Sequence, residues 1–335
     1  MQRRDFLKSA ALASVAATVH ATGQSPVKRP ESPDMVYRTL GRTGERVSLI
    51  GLGGAHIGFG GAQAEPDAIK LMHAAIDGGI TFFDNSWDYN EGRSEERMGK
   101  ALKDGNLRNR VFLMTKSDSH TAKGWNKQLE ESMRRMQVDM IDLVQIHEVI
   151  RMNDPETVFA PGGAMEAAIA ARKAGKIRYI GFTGHKDPAI HLHMIDYAEK
   201  HGFHFDTLQM PVNIMDAHFR SFQHQVIPVA NSKGIGVLAM KTFAFGALIE
   251  AKVADPIDML HYSMTLPVSV VITGMPTMPR LQQALTAAKT FKPMTQPQIA
   301  ALLAKSKDLA ADGHLEQFKV SERFDGTSRN PDWLA

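Results

Sequence analysis

Four ionisable residues in this 335-residue chain share a setting that packing does not explain. Asp84, Lys116 and His147 each close a short, apolar, β-rich run (Thr81–Asp84, Val111–Lys116, Leu143–His147), and Tyr89 follows Asp84 in the next connection. Together they could complete the reduction of a carbonyl, because hydride delivered to carbon leaves an alkoxide that needs a proton, and a phenol can give it. A phenol ordinarily ionises near ~10, and a neighbouring ammonium is expected to bring that toward the working range. Lys116 is that ammonium here. Asp84 would hold it and offset the cost of burying a cation, while His147 would donate to the substrate oxygen and align the carbonyl. A second group, His191 and His193 with His201 and His204 downstream, suggests a metal, but His-x-His on a helix sends the rings to different sides. These are read as solvated or capping histidines, and no metal is expected.

The elements that must carry the four residues alternate regularly. A hairpin comes first, Tyr37–Leu40 and Glu45–Ser48 around the turn glycines Gly41 and Gly44, placed to plug one end of the structure. Eight β-rich runs then alternate with helical patterns: Leu49–Gly51, Thr81–Asp84, Val111–Lys116, Leu143–His147, Tyr179–Thr183, Thr207–Met210, Val237–Lys241 and Val268–Thr273. Several are apolar at nearly every position, as strands buried on both faces should be, and the segments between them carry a helical period, as in Ala68, Leu71, Met72, Ala75 and Ile76. This predicts an α/β chain folded as one (β/α)8 TIM barrel with an N-terminal β-hairpin. A C-terminal helical extension follows, with helices from about Pro279 and Thr295 and a tail poor in apolar residues. An open doubly wound sheet would carry a dinucleotide-binding Gly-x-Gly-x-x-Gly turn after its first strand, and Gly51-Leu52-Gly53-Gly54 does not match it. In a barrel, groups at the C-terminal ends of strands share one face, which is where the four ionisable residues fall.

The residues around Tyr89 resemble a known family. Phe83-Asp84-Asn85-Ser86-Trp87-Asp88-Tyr89-Asn90-Glu91-Gly92-Arg93-Ser94-Glu95, with Gly99, is similar to the aldo-keto reductase signature, and Lys116 and His147 match the remaining positions of that family's catalytic tetrad. Ser94 and Glu95 would also suit an ordinary helix N-terminus. The resemblance runs from Tyr37 to about Ala288. It implies an NAD(P)-dependent oxidoreductase interconverting a carbonyl (aldehyde, ketone or sugar) and an alcohol, with Tyr89 as general acid/base. It also implies cofactor contacts from Asp84, from Gln209 to the nicotinamide carboxamide, and from Thr183. Two positions depart from the family pattern: Gly184 stands where Asn is usual, and Met240 where an aromatic ring often stacks. Lys241 is placed near the pyrophosphate. The segment Gly274–Arg280 resembles the loop that holds the adenosine 2′-phosphate, with Arg280 as its cation and Gln283 as an adenine contact, so NADP is expected and NAD remains compatible. Trp87 and Met152 are expected to line the substrate pocket. Gly58–Gly61 and Phe243–Gly246 are expected to cover the cofactor.

Composition narrows the remaining classes. A net charge of +3 without a basic block gives no footprint for nucleic acid. The absence of cysteine excludes disulfides and thiol chemistry and suits an oxidising compartment. Arg3-Arg4-Asp5-Phe6-Leu7-Lys8, the weakly apolar Ser9–Val19 and the small residues near Ala21 resemble a cleaved twin-arginine export signal. Its apolar stretch is roughly half a bilayer span, so no stable membrane anchor is expected. Expected divisions are therefore 1–21 as signal, 22–34 as a polar lead-in and 35–335 as barrel with tail. Export machinery, a small carbonyl or alcohol substrate and a redox partner are the expected partners, and the periplasm is the expected location. Two other classes compete. One is a regulatory nicotinamide binder resembling potassium-channel β subunits; the other is a metal-dependent hydrolase, which would need converging carboxylates and histidines where only Asp84 and His147 are expected to meet.

Overall fold

The computed structural model describes residues 26–59 and 64–335. The proposed export signal lies outside the described residues, as do Gly60 and Gly61 of the glycine-rich cover. The opening hairpin forms as expected, with β1 (Tyr37–Thr39) antiparallel to β2 (Arg46–Ser48). Eight parallel strands then close into a barrel: β3 (Ile50–Gly53), β4 (Phe82–Asp84), β5 (Phe112–Ser117), β6 (Ile141–Ile146), β7 (Ile177–Thr183), β8 (Thr207–Pro211), β9 (Gly236–Met240) and β10 (Val270–Gly274), with β10 returning to pair with β3. The fold is a (β/α)8 TIM barrel. Inward side chains Phe82, Phe112, Met114, Leu143, Tyr179, Leu238, Val270 and Ile272 fill its interior, and Leu40 and Val47 of the hairpin join that cluster as the floor. Outward side chains join the larger cluster under the surrounding helices.

The floor is also electrostatic. Glu45 and Asp142 are held between Arg178 and Arg29, with Arg29 lying 2.6 Å from Glu45 and 2.9 Å from Asp142, and Arg108 lies 2.8 Å from Asp142. Arg29 belongs to the polar lead-in, which from Pro26 onward is docked under the barrel rather than left as a linker.

At the opposite end, glycines allow close approach where the site is assembled. A Cβ on Gly54 would meet the Asp84 carbonyl at 2.3 Å, and one on Gly99 would meet the Arg135 carbonyl at 2.4 Å. Gly99 thereby lets the helix Arg93–Asp104 lie directly on the helix Ala122–Met136. The C-terminal helices form at Met278–Thr290 and Gln296–Ser306, and the tail folds back across the barrel mouth.

Candidate active site

Asp84 ends β4, Lys116 is the last residue but one of β5, and His147 follows β6 directly. Ladder-like bonds continue past the strand ends, from Trp87 N–H to the Lys116 carbonyl and from His147 N–H to the Ser117 carbonyl, so the residues that follow stay in register. Tyr89 opens a tight turn in which Asn90 and Glu91 take left-handed conformations. The result brings together all four residues singled out by sequence. Lys116 Nζ donates to Asp84 Oδ1 through a short bond, to the Asn85 carbonyl at 2.6 Å and to the Tyr89 hydroxyl at 3.2 Å. The His147 ring stands edge-on to Tyr89 with centroids 6.2 Å apart.

Two connected clefts meet at this cluster. The larger, about 400 Å³, is lined by Asp84, Tyr89, Gln209, Met240, Lys241, Arg280 and Gln283 with glycines of β3 and β10. The smaller, about 220 Å³, is lined by Tyr89, Lys116, His147, Glu148 and Thr183 and by tail residues Arg323, Phe324 and Arg329. Thr183 faces only the smaller cleft, whereas Tyr89, Met240, Lys241 and Phe245 face both. Gln209 Nε2 donates to Asp84 Oδ2 at 3.1 Å, which leaves its Oε1 buried with no partner. An acceptor beside Asp84 with no partner among the described residues fits a carboxamide NH₂, as a nicotinamide would present. Arg280 donates to Gln283 at 2.9 Å in the lining of the larger cleft, with Arg280 exposed and Gln283 half-buried. Lys241 has a left-handed backbone and places Nζ 4.6 Å from the Phe245 ring, and burial lowers its amine to about 8.

Several expectations need correction. Burial, followed by the carboxylates of Asp84, Asp88, Glu148 and Asp118, raises the Tyr89 phenol well above its ordinary value. Lys116 steadies the hydroxyl by a hydrogen bond, but one ammonium does not outweigh burial and those carboxylates. Trp87 turns away from both clefts, because its indole N–H finds an acceptor in Glu131 at 2.7 Å and its ring meets Trp333 edge-on. Met152 is 55% exposed and lines neither cleft. Ser94 caps no helix; its hydroxyl donates to the Gly54 carbonyl, and buried Glu95 accepts from Thr115 at 2.6 Å and pairs with Arg135. His191 is fully buried, 3.2 Å from the Gln209 carbonyl, where burial lowers it to about 4, so it is a neutral core ring and neither solvated nor a cap. His193 instead faces Glu156.

Sequence reasoning missed the acidic groups behind His147. Asp118, Asp88 and His147 bring ligand-type atoms within 4.8 Å of one another, so more carboxylates converge here than Asp84 alone. Burial, reinforced by Asp118, raises Asp88 to about 6. The signal was present in Asp88 and in Ser117-Asp118-Ser119, just past strand ends, but nothing in the spacing distinguished them from loop polar residues.

Comparison with known proteins agrees with this geometry. The aldo-keto reductase YhdN of Bacillus subtilis is 32% identical over 230 residues, covering 64% of this chain and 64% of that protein, so the match spans just under two thirds of it. L-galactose dehydrogenase of Arabidopsis thaliana is 27% identical over 230 residues, covering 64% of this chain and 67% of that one. Among solved structures, the aldo-keto reductase AKR11C1 from Bacillus halodurans, in its holo form, superposes with a TM-score of 0.66 at 22% identity, covering 80% of this chain and 96% of that one; it shows the shared fold. Residues 49–264, which carry the whole Asp84, Tyr89, Lys116 and His147 cluster, match the Aldo/keto reductase family, and the chain belongs to that family of oxidoreductases.

Proposed function

We propose that this protein is an NAD(P)-dependent carbonyl reductase or alcohol dehydrogenase acting on a small aldehyde, ketone or sugar. The observation that carries the reading is the continuous Asp84, Lys116 and Tyr89 chain at the junction of the two clefts, with the unpartnered Gln209 Oε1 beside it. Gln209 and Met240 would hold the nicotinamide end of the cofactor in the larger cleft, Lys241 its pyrophosphate, and Arg280 with Gln283 the adenosine end. Bound there, a nicotinamide supplies or accepts the hydride. In the reducing direction, the Tyr89 hydroxyl gives its proton to the oxygen that becomes the alcohol, and Lys116 stabilises the phenolate left behind. The raised Tyr89 value means that the phenol holds its proton at neutral pH and is available as the acid. His147 places the carbonyl oxygen from the other side of the smaller cleft.

Tyr89→Phe keeps the ring and removes the proton. With NADPH and a panel of carbonyl substrates, turnover is expected to fall by about 10²-fold or more while cofactor affinity stays nearly constant. Activity within a few-fold of the parent would overturn the mechanism. The same reading includes export of the folded chain by the twin-arginine route, with a tightly held cofactor recycled in place by a second substrate or a redox partner. No helix among the described residues is long and apolar enough to cross a membrane. Release of near-stoichiometric nicotinamide nucleotide from denatured periplasmic protein supports this, and a folded but empty periplasmic protein refutes it.

A further inference from the structure

His147 can assist a carbonyl only through a ring N–H that points at the substrate, and its surroundings decide whether it has one. Its Nδ1 lies 2.8 Å from Asp118 Oδ1, 3.3 Å from Ser86 Oγ and 3.6 Å from Asp88 Oδ1. Among the described residues no protein group bonds Nε2, so Nε2 is the ring nitrogen left for the cleft. A neutral imidazole that donates from Nδ1 to a carboxylate carries a bare lone pair on Nε2, which cannot donate to a carbonyl oxygen. Only the doubly protonated ring can satisfy Asp118 and the substrate together.

The loop that delivers Asp118 is built for this contact. Gln128, from the helix Ala122–Met136, accepts with one oxygen from Ser117 Oγ at 2.7 Å, from Asp118 N–H at 2.8 Å and from Ser119 N–H at 3.0 Å. Its amide donates to the Trp333 carbonyl of the tail at 3.1 Å. Asp118 itself is fully buried, and its Oδ2 has no partner. We propose that Asp118 is a positioning residue that holds His147 as an imidazolium with Nε2–H directed into the substrate cleft, so that the second donor to the carbonyl oxygen is cationic. This rests on the carbonyl-reductase reading given above.

The charged groups facing the ring support it. Burial disfavours the imidazolium, but Asp118 and Asp88, with Glu148 adding to them, outweigh it and raise His147 above its ordinary value. Lys116, at the end of β5, bonds Asp84 and favours the charged form of Asp118, although burial raises that carboxyl overall. Tyr89 presents its ring edge-on and stays neutral, and Glu148 is already engaged by Gly326 N–H, Thr327 N–H and Thr327 Oγ. Asp118 is therefore the carboxylate that hydrogen-bonds the ring, at 2.8 Å, with Asp88 adding its charge from 3.6 Å.

Asp118→Asn tests this, because the amide oxygen can still accept from Nδ1 while the charge is gone. In protein labelled with ¹⁵N-histidine and free of cofactor, the His147 titration midpoint should fall by at least about one pH unit relative to the parent. In the cofactor-loaded enzyme, kcat for reduction should drop by about tenfold or more with the KM for cofactor unchanged, and the alkaline limb of kcat/KM should move to lower pH in step with the midpoint. In a His147→Gln background, Asp118→Asn should cost less than about twofold more, because it acts through the ring. An unmoved His147 midpoint, or losses that multiply in the His147→Gln background, would overturn the proposal. If the parent protein turned over no carbonyl at all, the reading of the reaction would fall, and the titration alone would still decide the charge on His147.

Discussion

Lys116 is 1% exposed and bonds Asp84, the Asn85 carbonyl and Tyr89 at once, so its removal should damage stability and chemistry by separable routes. Lys116→Met nearly conserves volume but leaves the Asp84 carboxylate buried, with only the Gln209 amide to bond it. Breaking a buried pair from one side costs about 3–5 kcal/mol, mostly the penalty of the stranded charge. For a domain of this size each kcal/mol is roughly 2 °C in Tm, which predicts a drop of about 6–10 °C by calorimetry or circular dichroism. Adding Asp84→Asn removes the second charge and should restore more than about half of the lost stability without restoring turnover. A single variant that melts within about 1 °C of the parent, or a double variant no more stable than Lys116→Met, would refute the account of Asp84 as a charge held by Lys116.

Two further outcomes follow from sites outside the tetrad. Arg280→Ala should weaken NADP(H) by roughly 1.5–3 kcal/mol for each charge-assisted hydrogen bond to the 2′-phosphate and leave NAD(H) almost unaffected; equal weakening of both in fluorescence titrations would remove Arg280 from the 2′-phosphate. Arg29→Ala should move the acid-unfolding midpoint to higher pH. Burial would raise the Asp142 carboxyl, but Arg108 and Arg29 outweigh it and hold it below its ordinary value. The resulting stability is fully present above the unfolded value of ~3.9 and is lost as pH falls through the folded one, so weakening the cationic side ends it earlier. An unchanged acid-unfolding midpoint would mean that the docked lead-in carries no part of the floor network.

The barrel was legible because each parallel strand, buried on both faces, must be an apolar run, and the helices between them must show their own period. The ends were less legible. The last strand was expected from Val268 but pairs from Val270, because Val268 N–H turns back to the Leu266 carbonyl. The meeting of Asp84, Lys116 and His147 at one end of the barrel was legible for the related reason that a charge ending an apolar run has no packing explanation. Trp87 was misplaced because adjacency to Tyr89 in sequence says nothing about where its N–H finds an acceptor. The sign of the Tyr89 shift was misjudged because Lys116 was weighed without burial, the largest cause, and without the surrounding carboxylates. Asp88, Asp118 and Glu148 reach the phenol from three separate connections, and only the closed barrel brings them together.

The tail shows most clearly what a periodic reading cannot see. It has few apolar residues, and charge places much of it. Fully buried Lys319 pairs with Asp216 at 2.7 Å and Glu316 at 2.8 Å. Asp325 sits between His185 at 3.0 Å and Lys186 at 2.7 Å. Glu148, next to His147, accepts from the backbone of Gly326 and Thr327, and Gln128 reaches from the Asp118 loop to Trp333. Apart from the Lys319–Glu316 pair, three residues apart, each of these bonds joins residues far apart in sequence and leaves no local pattern. The last two contacts, of Glu148 and of Gln128, tie the tail, the wall that carries Arg323, Phe324 and Arg329, to the segments beside His147 and Asp118. A substrate bound against that wall is thereby set in register with the imidazolium, which gives a polar tail a reason to be ordered over the mouth of the barrel.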